Sequence, residues 1–238
     1  MSTSYGIICF NPKNQKTLVV QRTHTPEFLH LMRGNFNRAD LDIILERSTR
    51  EEHDLLRSIL LSNNNICYDI YAYLSKSFNF SHFKNKKDYL TRIAIKSRDQ
   101  LKLHHDDIIE YLNNTLPRME TEWLWPKGHL MNDESNIECS IRETFEETGY
   151  RFNINQLLRS NGVPVTFNID NHVFYNKTYT TVYYIIVLDQ EPEYHLQPIN
   201  EQEIKKVSWM NCKDLFDRLP NKEYQQLLLK LYDTIFKK

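Results

Sequence analysis

Apolar and polar residues change rhythm several times along this chain of 238 residues. Residues 5–10 (YGIICF) and 17–22 (TLVVQR) are β-rich runs joined by the polar NPKNQK, which predicts a hairpin forming the first edge of a sheet. The apolar run 123–126 and the stretch 174–188, rich in Tyr, Thr, Val and Ile, predict further strands, the second either one long strand or two shorter ones. Another follows at 207–210. Between 221 and 236, Tyr224, Leu227, Leu228, Leu231 and Ile235 recur at helical spacing and predict a closing amphipathic helix.

Residues 27–118 break this pattern. DLDIILERS, EEHDLLRSILLS, ICYDIYAYLSKSF, KKDYLTRIAIKS and HHDDIIEYLNNTL all read as helix. A structureless connection of that length is uncommon inside a compact domain. The expected organisation is therefore an α/β domain from 1–26 and 119–238, with an all-helical subdomain inserted over 27–118.

At 40% hydrophobic residues the chain can bury a substantial core, while its net charge of −1 is uninformative. Cys9, Cys67, Cys139 and Cys212 lack paired metal-site spacing, and no apolar leader opens the sequence, so a reducing, cytoplasmic setting is expected. The longest apolar run, TVYYIIVL at 181–188, is far short of the ~18 residues of a membrane span, which excludes an integral helical membrane protein. Oligomeric state is not legible.

The chemistry concentrates in GHLMNDESNIECSIRETFEETGY, residues 128–150. Ser135 and Glu138 form a capping-box pair that starts a helix, and Gly149 suits a left-handed helix end. Ile137, Ile141, Thr144, Phe145 and Thr148 recur three and four residues apart and are expected to face a core. The same spacing puts Glu143, Glu146 and Glu147 on one side as a patch of carboxylate oxygens. Like charges so close repel; hard divalent cations such as Mg2+ or Mn2+, bridging to substrate phosphates, would neutralise them. Arg142 pairs well with carboxylates and is expected to hold Glu134 or Glu146 in place. A solvated acidic helix face is the commoner reason for clustered glutamates, but it does not account for so many residue types at fixed offsets.

Those offsets resemble the Nudix box, G-x5-E-x7-R-E-U-x-E-E-x-G-U with U bulky and apolar. Gly128, Glu134, Arg142, Glu143, Glu146, Glu147 and Gly149 match, whereas Thr144 and Tyr150 depart at apolar positions. The resemblance implies an α/β/α sandwich around a mixed sheet, and hydrolysis of a diphosphate linkage by water with Mg2+ or Mn2+. By position, Glu143, Glu146 and Glu147 are the metal ligands and Glu147 is the leading general base. NEQEIKKVSW at 200–209 resembles a segment that follows the box in cellular decapping enzymes, which makes Glu203 a further ligand or the alternative base. Lys127 is expected to reach a substrate phosphate as a point charge, with His129 as the second basic residue decapping relatives carry after the glycine.

Within the helical segment, Lys84, Lys86, Lys87, Arg92, Lys96, Arg98 and Lys102 face only Asp88 and Asp99, a net +5 beside Phe78, Phe80, Phe83 and Tyr89. Phosphate backbones attract such patches, and aromatic rings stack on unpaired bases; a solvated helix face over an aromatic core is the plainer reading. PEFLHLMRGNF at 26–36 and STREEHDLL at 48–56, followed by helices and WLWPKGH, resemble the Nudix decapping proteins of large cytoplasmic DNA viruses, those of the African swine fever virus type above all. That resemblance implies an RNA-binding insertion and removal of the mRNA cap as 7-methyl-GDP, leaving 5′-monophosphate RNA, in a host cytoplasm. Diphosphoinositol polyphosphates or nucleoside diphosphate derivatives are the alternative substrates. A catalytically silent RNA-binding module is the third reading. Trp123, Trp125, Tyr5 and Phe10 could grip a methylated guanine, although burial in the core is the commoner fate of such rings.

Overall fold

The computed structural model describes residues 3–62, 65–77, 85–153, 165–171, 177–188, 196–199 and 201–236. The chain divides into two compact units, Met1–Arg22 with Glu122–Lys238, and Thr23–Thr121.

The first unit is built on a sheet of β1 (Thr3–Asn11), β2 (Lys16–Arg22), β3 (Trp123–Leu124), β4 (Lys127–His129), β5 (Val165–Asn171), β6 (Lys177–Val187) and β7 (Ile204–Asn211). Its main path runs β3-β2-β1-β6-β5, with β4 also pairing β1 and β7 also pairing β2. Only the β1–β6 pairing is parallel among these, so the sheet is mixed. The expected place of the hairpin is corrected here: β1 and β2 lie inside the sheet, not at its edge. The reason is long-range pairing, of β4 and β6 with β1 and of β3 and β7 with β2. Ile7, Ile8, Cys9 and Phe10 are all buried, as strands covered on both faces require. Strand β5 lies upstream of the stretch read as strand from the sequence, and Phe174 falls outside the described residues.

Alternation sorts these side chains into two layers. Ile8, Phe10 and Val19 pack with Trp123, Trp125, Tyr183 and the buried faces of α8 (Cys212–Phe216) and α9 (Lys222–Phe236). On the other face, Ile7, Cys9 and Leu18 pack with Phe152, Tyr184 and Ile186, against which Ile137 and Ile141 of α7 (Asn136–Thr148) are half-buried. The result is a helix–sheet–helix sandwich, an α/β fold. Trp123, Trp125 and Phe10 are therefore core residues. No helix among the described residues is long and apolar enough to cross a membrane.

The second unit holds α1 (Pro26–Met32), α2 (Leu41–Arg47), α3 (Arg50–Leu61), α4 (Ile66–Ser77), α5 (Lys86–Leu103) and α6 (His105–Asn114). One buried carboxylate organises two of its helix starts. Glu52 closes a capping box with Thr49 at α3, and it also accepts from the amide and hydroxyl of Thr25, the N-cap of α1, at 2.7 and 2.9 Å. Both oxygens are thus committed to donors in a buried setting. Glu52→Gln turns one acceptor into a donor facing those groups. It should lower stability by about 2–3 kcal/mol, read as a fall in urea midpoint; an unchanged midpoint would mean that water replaces these bonds. Gly34 makes a second tie: at φ 64°, its missing Cβ is what allows the backbone of Ser97 on α5 to approach, since a Cβ there would lie 2.8 Å from the Ser97 Cα.

Candidate active site

Helix α7 begins and ends where its caps dictate. The Ser135 hydroxyl accepts from the Glu138 amide, the Glu138 carboxylate accepts from the Ser135 amide, and Gly149 closes the helix at φ 73°. Its buried stripe is Cys139, Ser140, Thr144, Glu147 and Thr148. Ser140, Thr144 and Thr148 each return a hydroxyl hydrogen bond to the carbonyl four residues back. Threonine at the box's apolar position 144 is accommodated in this way, its polar atom satisfied within the helix. Phe145, expected in the core, is half-buried and carries the Arg151 guanidinium 4.4 Å over its ring.

The three box glutamates have different surroundings. Glu147 is 5% exposed, and its Oε2 accepts from the backbone amide of Lys127 at 3.0 Å. Glu143 is half-buried beneath Gly128, whose missing side chain makes room for its carboxylate. The Glu146 side chain is 42% exposed. Burial first, and then the negative charge of Glu203, push Glu147 well above the usual carboxylate range, against the pull of Arg22. Glu143 is raised to about 7, chiefly by burial, with Arg142 opposing and Glu146 and Glu203 adding to the rise.

Arg142 ties the box loop to the helix. Its Nε and Nη2 donate to the two oxygens of Glu134 at 2.7 and 2.9 Å, and Nη2 also donates to the His129 carbonyl at 3.0 Å. Nη1 reaches Glu143 at 2.8 Å and Glu146 at 3.2 Å. The arginine therefore holds both Glu134 and Glu146, and with them Glu143 and the His129 carbonyl. Glu134 is drawn below its ordinary pKa mainly by this pairing. Gly128 and Gly149 complete the frame, the first under Glu143, the second at the helix end.

Lys127 lies on β4 and is half-buried. Burial, and then Arg22, lower its ammonium to about 8, while Glu147, Glu203 and Glu122 favour the charged form. Glu203 immediately precedes β7 and is exposed, yet its charge is felt by Glu143, Glu147, Lys127 and Arg22. The structure so brings Glu143, Glu147, Glu203 and Lys127 into one electrostatic group. His129 is exposed, with Nδ1 3.2 Å from the Thr3 carbonyl.

Two members of the group were missed in the sequence. Arg22 ends β2 and Glu122 precedes β3, and the Arg22 amide donates to the Glu122 carbonyl at 3.3 Å. Burial would lower the Arg22 guanidinium, but Glu203, Glu147 and Glu122 hold it above its ordinary pKa. The available signal was a charged residue at the end of each of two apolar runs.

No three acidic, histidine or cysteine side chains are gathered to metal-ligating distance among the described residues. The donor chemistry nevertheless fits a hard divalent cation: Glu143, Glu147 and Glu203 are oxygen donors, two of them raised by burial and then by neighbouring carboxylates, whose repulsion such an ion would relieve. Cys139, beside Gly128 and Arg142, is a buried thiol pushed up to about 12, mainly by desolvation.

In the second unit the basic residues of α5 do not share one stripe. Leu90, Ala94, Ser97 and Leu101 mark the buried line. About that line, at 3.6 residues per turn, Arg92 and Lys96 fall on one flank and Lys87, Arg98 and Lys102 on the other, with Asp88 and Asp99 between. Lys86 lies in the first turn. Lys96 donates to Asn35 at 2.6 Å, and Arg98 is paired with Asp99 at 2.7 Å. Lys84, with Phe78, Phe80 and Phe83, lies outside the described residues.

The NUDIX domain family matches residues 111–232. The chain is 27% identical over 230 residues to the mRNA-decapping protein g5R of African swine fever virus (isolate Warthog/Namibia/Wart80/1980), covering 90% of this chain and 86% of that protein. It is 30% identical over 117 residues to mRNA decapping complex subunit 2 of Schizosaccharomyces pombe, covering 48% of this chain and 14% of that protein. Among solved structures, a Caenorhabditis elegans Ap4A hydrolase binary complex aligns over 99% of this chain and 98% of its own, with 12% identity and a TM-score of 0.47. With Arg142, Glu143, Glu146 and Glu147 on α7 and the family matching just over half the chain, this protein belongs to the Nudix hydrolase family.

Proposed function

We propose that this Nudix hydrolase removes the mRNA 5′ cap, cutting the triphosphate bridge to release 7-methyl-GDP and 5′-monophosphate RNA. The observation that carries this reading is the extent of the likeness to g5R: at 90% of the chain it runs through the helical unit as well as the catalytic one. A cap substrate adds an RNA body to the reacting phosphates. The exposed Lys86, Lys87, Arg92, Lys96 and Lys102 of α5, with Arg98, offer it phosphate contacts on two flanks of one helix.

In the catalytic unit, Glu143, Glu146, Glu147 and Glu203 would hold Mg2+ or Mn2+. Bound there, such ions orient and acidify water and neutralise charge on the leaving phosphate. The Lys127 amide fixes one oxygen of Glu147, leaving Oε1 to accept the proton of the attacking water. The Lys127 ammonium, on the same strand, meets the phosphate. Arg142 keeps Glu143 and Glu146 aligned through direct hydrogen bonds. His129, exposed at the end of β4, would be a second basic group offered to the phosphate.

The test uses the full chain with cap-labelled RNA, diphosphoinositol phosphates and dinucleoside polyphosphates in parallel, each with Mn2+ and with excess EDTA. Release of 7-methyl-GDP from capped RNA, stopped by EDTA and competed by uncapped RNA, is expected. Turnover of the small molecules alone by folded protein would replace this reading with that of a small-molecule hydrolase.

A further inference from the structure

Gly149 has a conformational reason to be glycine, its φ of 73°, which suits few other residues. A second reason lies outside the helix. A Cβ at this position would come within 2.5 Å of the Gln197 carbonyl oxygen and 3.5 Å of the Gln197 N and C atoms. These are backbone atoms, so no rotamer change relieves the collision. Two residues further on, the Ile199 amide donates to the Glu146 carbonyl at 2.9 Å. That carbonyl is among the last four of α7, which the helix itself leaves without a partner. Between these contacts stands Pro198, whose ring fixes its own φ and keeps Gln197 extended. Residues 196–199 are therefore a stiff strap laid over the C-terminal end of α7. The Gln197 side chain continues the connection, donating to Glu201 at 3.3 Å. Glu203 follows two residues later, immediately before β7.

We propose that Gly149 is a positioning residue for Glu203: its lack of a side chain lets the strap dock on the end of α7, and the docked strap sets where Glu203 stands beside Glu147. The inference rests on the reading above that Glu203 serves the reaction. It assigns the box's last glycine a task beyond ending its own helix, and it explains how a carboxylate more than fifty residues from the box is held in register with it.

The test compares Gly149→Asn, Glu203→Gln, the double variant and Ile199→Pro, measuring cap hydrolysis and amide hydrogen exchange across residues 196–203 without metal. Asparagine tolerates the left-handed conformation, so Gly149→Asn isolates the Cβ collision. Ile199→Pro removes the amide that binds Glu146 while leaving the helix cap intact, and it carries the comparison if Gly149→Asn does not fold. Gly149→Asn and Glu203→Gln should each lower kcat by roughly 10–100-fold, as expected for groups that orient ligands. KM should change little. The double variant should be no slower than Glu203→Gln alone, because both changes act through one group. The Ile199 amide should lose its protection in Gly149→Asn. Retained protection, or kcat losses that multiply, would overturn the inference while leaving the proposed function standing. A silent Glu203→Gln would remove Glu203 from that function and the strap's task with it.

Discussion

Glu147→Gln is expected to lower the rate of diphosphate hydrolysis by roughly 10²–10⁴-fold, the range lost with a general base, while leaving thermal stability equal or higher. The two effects separate because the carboxylate is costly to the fold. Glu147 is buried beside Glu203 and Glu143, and both add to the rise in its pKa that burial begins. Glutamine keeps the shape and can still accept from the Lys127 amide through its carbonyl oxygen, but it carries no charge for its neighbours to repel. It also cannot take a proton from water. Single-turnover rates with saturating Mn2+, set beside a melting curve, check both halves. An unchanged rate would transfer the base to Glu203, and a lower melting temperature would mean that the charge, not the shape, holds the site.

Gly128→Ala should produce the second largest loss by a different route. The new Cβ would fall inside the space now held by the Glu143 carboxylate. That carboxylate is the end of a side chain and can swing away, so the stability cost should stay near ~1 kcal/mol, at the low end for overpacking. The site has no such latitude. Glu143 is held by Arg142 at 2.8 Å, and displacing it by about 1 Å is enough to cost on the order of 10²-fold in rate. Urea unfolding and kcat, measured on the same preparation, test this division. A large fall in stability with kcat preserved in the folded fraction would mean that the backbone, rather than Glu143, gives way.

Arg142 shows how far local spacing reaches. Its pairing with Glu146 is an i,i+4 contact and its pairing with Glu143 is between neighbours, so both were open to inference from helix geometry. The pairing with Glu134 needs the loop folded back, and the Gly128, Glu134 and Arg142 offsets predicted that return. The bond to the His129 carbonyl was not readable, because it depends on β4 pairing with β1 along Ser4, Tyr5 and Gly6. Arg22 and Glu122 lie further still from the local pattern. Arg22 meets Glu147 and Glu203, and Glu122 meets Arg22 and Lys127, only because β2 and β3 pair across an insertion of about a hundred residues. Alternation gave no warning of the hairpin's interior position either: a strand covered on both faces simply reads as a continuous apolar run.

By itself the sequence determined what depends on neighbours within a turn or two. The start of α7 at Ser135, its end at Gly149, and the gathering of Glu143, Glu146 and Glu147 on one side follow from hydrogen bonding and spacing inside one helix. The helical character of the inserted segment followed in the same way. The tertiary structure alone decided which of those glutamates is buried, which is solvent-facing, and which other charges they meet. Burial and long-range pairing are properties of strands and loops brought together from distant parts of the chain, so the same three carboxylates, equivalent in spacing, become different in chemistry only once β4, Arg22 and the strap before Glu203 are in place.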